Sequence, residues 1–91
     1  MQWYTLLAKV EHTRNDEIRQ RLNKLQRNPY QGVTLYCTFD VFGDWDICLW
    51  FGADNNDHAI KFVQDYIVNI PGVVRTYTLP STPIKEYVEN W

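Results

Sequence analysis

The sequence predicts an α+β domain of the ferredoxin-like class, with element order β-α-β-β-α-β. Apolar residues alternate with period two in four stretches, and two stretches between them carry apolar residues at helical spacing. Glycine, proline and asparagine clusters separate these runs. With that order, right-handed crossovers place both helices on one face of a four-stranded antiparallel sheet.

The first strand spans residues 3–10, with Tyr4, Leu6, Ala8 and Val10 on one face and Trp3, Thr5, Leu7 and Lys9 on the other. Thr13 or Asn15 is placed to cap a helix whose first turn holds Asp16 and Glu17, favourable at the positive end of the helix dipole. Ile18, Leu22 and Leu25 form its apolar stripe, and Asn28-Pro29-Tyr30-Gln31-Gly32 ends it. The second strand, residues 33–41, alternates Val33, Leu35, Cys37, Phe39 and Val41 against Thr34, Tyr36, Thr38 and Asp40. A turn at Gly43-Asp44 leads into the third strand, residues 46–53, where Ile47, Leu49 and Phe51 alternate with Asp46, Cys48 and Trp50. Matching the two aliphatic rows calls for an odd-numbered loop, three residues being the shortest common choice. Cys37 and Cys48 then point to opposite faces and stay free.

Asp54, Asn55 or Asn56 caps the second helix, whose wide stripe is Ala59, Phe62, Val63, Tyr66, Ile67 and Ile70. Pro71-Gly72 stops it. The fourth strand runs from Val73 to about Leu79, after which Pro80 and Pro83 interrupt any central-strand reading. Residues 84–91 fit either a short edge strand or a helical turn.

A chain of 91 residues with 45% hydrophobic content is sized for one domain, residues 1–91, with a limited core. The net charge of −2 argues against a nucleic-acid partner. Arg14, Arg19, Arg21, Lys24 and Arg27 cluster near the first helix, but Asp16 and Glu17 accompany them, so they read as a solvated face. No run approaches the roughly 18 apolar residues of a membrane span, and the N-terminus lacks a signal-peptide pattern, so a cytoplasmic location with no membrane partner is expected.

Both helices on one face leave the other face of the sheet bare, and that face carries Trp3, Tyr36 and Trp50. Uncovered aromatics on a sheet mark a partner surface, which predicts a dimer packed sheet to sheet. The aromatic-flanked glycine signature of RNA-binding sheets is missing, so base stacking is the less economical account.

Gly43-Asp44-Trp45-Asp46, the aliphatic strand after it, the second helix, and Ile70-Pro71-Gly72-Val73 with Arg75-Thr76-Tyr77-Thr78 resemble the effector domain of the Lrp/AsnC (feast/famine) transcription regulators, called the RAM domain. The specific match covers residues 41–78. Full-length members of that family carry a preceding helix-turn-helix domain, for which there is no room before the first strand here. The chain therefore resembles the stand-alone RAM proteins. That resemblance implies a homodimer that builds larger assemblies, from tetramer to decamer, binds an amino-acid effector and can act with full-length Lrp/AsnC regulators.

The resemblance also implies a ligand site built from Gly43, Asp44, Trp45, Asp46, Thr76 and Thr78. A zwitterionic amino acid needs an acceptor for its ammonium, for which Asp46 is the choice, and donors for its carboxylate, including the Gly43 N–H. Thr76 and Thr78 share one strand face, where two hydroxyls can converge. From the residues alone, Gly43-Asp44 reads equally as an ordinary hairpin loop and the threonines as good strand formers. Arg75 points away from the threonines and either pairs with a carboxylate across an interface or is solvated. Asp40 and Asp46 flank the loop as solvating carboxylates.

His12 and His58 have no neighbours at ligand spacing, so no metal or cofactor is expected. No nucleophile elbow, phosphate-cradling glycine loop or Cys-x-x-Cys is present, and the expected function is non-enzymatic. The alternatives are a small dimeric α+β-barrel enzyme of monooxygenase or isomerase type, and a scaffold that only assembles.

Overall fold

The computed structural model describes residues 1–85 and residue 87. Strands β1 (Gln2–Val10), β2 (Val33–Asp40), β3 (Ile47–Ala53) and β4 (Val73–Ser81) form one antiparallel sheet in the order β2-β3-β1-β4. Helix α1 (Asn15–Asn23) follows a 3-10 turn, His12–Arg14. Helix α2 (Asn56–Phe62) continues as a π-helical segment, Val63–Val68. This is the ferredoxin-like arrangement that the alternation and the crossover rule specify.

The core lies between the helices and one face of the sheet. Tyr4, Leu6, Ala8 and Val10 of β1 are buried with Ile47, Leu49, Phe51 and Ala53 of β3, as period two requires. Ile18 of α1 and Ala59, Phe62, Val63, Ile67 and Ile70 around α2 close over them. Phe62 is wholly buried, its ring 5.1 Å from that of Phe51 and 5.6 Å from that of Tyr66.

Several sequence expectations are corrected. Neither Thr13 nor Asn15 caps α1; the N-cap is Arg14, with no side-chain bond, because the 3-10 turn already directs the Arg14 N–H to the Glu11 carbonyl at 3.0 Å. The second helix is capped as expected, by Asn55, whose Oδ1 accepts the His58 N–H at 2.9 Å.

The larger correction concerns β2. Leu35 lies opposite Phe51 but Cys37 opposite Trp50, so Tyr36 is an extra residue, a β-bulge. Beyond it the faces exchange: Thr38 pairs with Leu49 on the helix side, and Cys37 and Phe39 join the Trp50 face. The bulge supplies the odd residue, so the loop between β2 and β3 is even-numbered, residues 41–46, with the Val41 N–H donating to the Asp46 carbonyl at 3.1 Å. Cys37 and Cys48 therefore share a face and are nonetheless free. They are diagonal neighbours, and a diagonal offset of about 7–8 Å between Cα atoms exceeds disulfide reach.

β4 continues past Leu79 to Ser81, with Pro80 opposite Tyr4. The strand lies at the sheet edge, where an absent N–H removes no ladder bond. The two readings of residues 84–91 fall largely outside the described residues. No described helix is long and apolar enough to cross a membrane.

Candidate functional site

The face of the sheet away from the helices is uncovered. Trp3 and Tyr36 meet on it edge to face, with ring centroids 4.4 Å apart, and Phe39 meets Trp50 in the same manner at 5.4 Å. Tyr36 and Trp50 remain 42% and 40% exposed, which for rings of this size leaves a substantial apolar area facing water. Gly52, opposite both Trp3 and Thr34, makes the first pair possible: a Cβ there would lie 2.7 Å from Trp3 Cζ3. Leu7, Tyr77 and Leu79 lie on the same face by register. Phe39 escaped the sequence reading because alternation alone assigned it to the helix side.

At one end of this face the loop of residues 43–46 folds against the end of β1. Gly43 has φ of 106°, a left-handed conformation that side chains disfavour. The Asp46 N–H donates to the Ala8 carbonyl at 3.0 Å, and Asp46 Oδ2 accepts the Val10 N–H at 2.9 Å. That second bond caps the point where the β1–β4 register shifts, between Lys9 and Val10. Lys9 Nζ reaches the Asp44 carbonyl at 3.2 Å and lies 4.0 Å from Asp46 Oδ2. Trp45 turns over the sheet, 6.3 Å from the Tyr77 ring, and the Arg75 guanidinium stacks on it at 4.9 Å.

Gly43, Asp44, Trp45 and Asp46 are thus brought together, with Lys9, Arg75 and Tyr77 as neighbours not anticipated for the site. Thr76 and Thr78 do share one face, opposite Ala8 and Leu6, but that face is the helix side. They lie across β4 from Trp45, so within one chain the threonines and the Trp45 side of the loop do not converge. The signal that finds Arg75 and Tyr77 is the alternation within Arg75-Thr76-Tyr77-Thr78 combined with a loop that crosses to the outer face.

Several other charged groups pair with one another. Asp40 accepts from Arg19 of α1 at 2.9 Å, and Arg14 lies near Glu11 and Glu17, at 3.9 and 3.5 Å. These exposed pairs are worth at most about 1 kcal/mol each and engage Arg14 and Arg19 of the basic cluster near α1. Among the described residues no cluster of histidine, cysteine, aspartate and glutamate is arranged to hold a metal ion. The space between sheet and helices amounts to about 10 Å³ and is lined by aliphatic side chains such as Leu6, Ile18, Leu49 and Ile67. Burial pushes the Cys48 thiol and the Tyr4 hydroxyl above their ordinary values, and Tyr4 donates to Asn56 Oδ1.

Sequence comparison matches no family model and no curated protein. Comparison of folds does find similar structures. A protein of Thermus thermophilus superposes with a TM-score of 0.75 at 17% identity, over 94% of this chain and 99% of that one. AsnC of Escherichia coli matches with a TM-score of 0.76 at 13% identity, over 96% of this chain and 56% of its own. A transcriptional regulator of Neisseria meningitidis, solved as a complex with L-Met, matches with a TM-score of 0.76 at 11% identity, over 99% of this chain and 55% of its own. The chain thus spans about half the length of these two regulators. The resemblance read in residues 41–78 holds at the level of the fold: this chain has the ferredoxin-like fold found in the AsnC/Lrp regulators.

Proposed function

We propose that the chain is a non-enzymatic module that binds an amino acid or related small molecule, assembles as a dimer or larger oligomer, and serves the transcriptional control of amino-acid metabolism. The observation that carries this reading is the adjacency of two features: an uncovered aromatic sheet face, and at its end a polar loop whose backbone and charges are ordered by β1. A second copy packed over Trp3, Tyr36 and Trp50 removes that apolar area from water. The loop of each copy then lies at the end of the covered face, and a further boundary, between dimers, is where residues 43–46 of one copy and the helix-side Thr76 and Thr78 hydroxyls of another would meet one ligand. The L-Met complex of the Neisseria meningitidis regulator, in the same fold, supports an amino-acid ligand. Full-length regulators of the AsnC/Lrp type are the natural partners on this reading.

The α+β-barrel enzyme is the weaker reading, because such enzymes work in the space between sheet and helices, and here that space is about 10 Å³ and apolar. A thermal-shift screen with the common amino acids, run alongside light scattering, tests the proposal. A ligand held only by the folded state raises the apparent stability, by about 2.7 kcal/mol at a hundredfold excess over Kd. Stabilisation by one or a few amino acids is expected. Intact oligomers with no response to any of them would leave a scaffold instead.

A further inference from the structure

Lys9 and Arg75 stand directly opposite one another in the β1–β4 register and project from the same, uncovered face. Like charges so placed repel, and the protein compensates only one of them. Lys9 has the Asp44 carbonyl and the more distant Asp46 carboxylate. Arg75 meets no carboxylate or other acceptor among the described residues, and its guanidinium lies over the Trp45 ring.

A guanidinium carbon held 4.9 Å over an indole ring is restrained in place by cation–π attraction. Its five N–H donors have no hydrogen-bond acceptor among the described residues. An oriented fork of donors with a second cation across the strand is matched by a planar anion that can accept two parallel hydrogen bonds. We propose that Arg75, held by Trp45 and assisted by Lys9, is a receptor for a carboxylate of a small molecule. The loop residues Asp44 and Asp46 then serve to position Lys9, and an ammonium on the same molecule has the Asp46 carboxylate within its neighbourhood. This deepens the ligand-binding reading and rests on it for the natural ligand alone; the receptor itself is tested without that ligand.

The test is an NMR titration of the intact chain with sodium acetate against sodium chloride at matched ionic strength, following Arg75 Nε–H and Trp45 Nε1–H. Saturable shifts of both in acetate, absent in chloride, are expected. Arg75→Gln is expected to abolish them, and Arg75→Lys to weaken acetate binding by roughly tenfold, since an ammonium lacks the bidentate fork. The amide spectrum elsewhere reports whether each variant keeps its fold. Equal responses to acetate and chloride, or acetate shifts that survive in Arg75→Gln, would overturn the proposal. So would an Arg75 signal that moves on dilution without acetate, which would assign the carboxylate to a second copy of the chain. A positive acetate result with no stabilising amino acid would retain the receptor while removing the amino-acid reading.

Discussion

At Asp46 one carboxylate oxygen is committed to the Val10 N–H, 2.9 Å away, at the point where β1 changes register against β4. Removing the acceptor strands a donor on a buried residue. Asp46→Ala should therefore lower unfolding free energy by about 1–3 kcal/mol in urea titration. Asp46→Asn keeps an oxygen that can accept from Val10 and removes the charge, so it should lose less stability while abolishing the response to an amino-acid ligand. Unchanged ligand affinity in calorimetry would remove Asp46 from the site. Cys48 offers a residue-scale test of burial on the outer face. Its thiol is held above its ordinary value by desolvation, so thiolate is scarce at neutral pH, and the half-buried Cys37 should be alkylated by iodoacetamide well before it. The sign for stability follows: the folded state keeps the Cys48 proton longer than the unfolded chain, so stability is lost as pH rises above 9.0. Charge roles at this scale were partly legible. The sequence offers Asp46 as a candidate ammonium acceptor, but its bond to Val10 is not legible there, because that bond depends on a register shift between strands far apart in sequence.

Among the elements, β2 shows where pattern reading reaches its limit. Its strict alternation gives one continuous aliphatic row, yet the bulge at Tyr36 splits the row between two faces and adds Phe39 to the aromatic surface. No glycine or proline within β2 announces it. The second helix, by contrast, follows from local chemistry: Asn55, one of three candidate caps, holds its start, Ala59, Phe62, Val63, Ile67 and Ile70 are buried with Tyr66 packed partly buried beside them, and Gly72, with φ of 98°, marks the stop. Phe62→Ala should cost about 3–5 kcal/mol, since a wholly buried ring between Phe51 and Tyr66 leaves a cavity that the packed sheet cannot close. Gly52→Ala addresses the other face. A Cβ at Gly52 collides with Trp3 and Met1, so the Trp3 ring must leave Tyr36. The fold should survive in circular dichroism, while self-association weakens.

At the scale of the whole molecule, two helices cover one side of a four-stranded sheet and nothing within the described chain covers the other. The alternation and element order made that asymmetry legible from sequence. The placement of Thr76 and Thr78 relative to Trp45 was not, because it depends on which face the loop of residues 43–46 crosses. If the bare face is the association surface, burying the Trp3–Tyr36 and Phe39–Trp50 pairs is what makes the protein a dimer, and everything proposed for the ligand boundary follows from it. Sedimentation velocity over a wide range of protein concentration measures this most directly. The wild-type chain is expected to sediment as a dimer or a multiple of one, with Trp50→Lys shifted toward monomer and still folded. A wild-type chain that stays monomeric at the highest concentration would contradict the account.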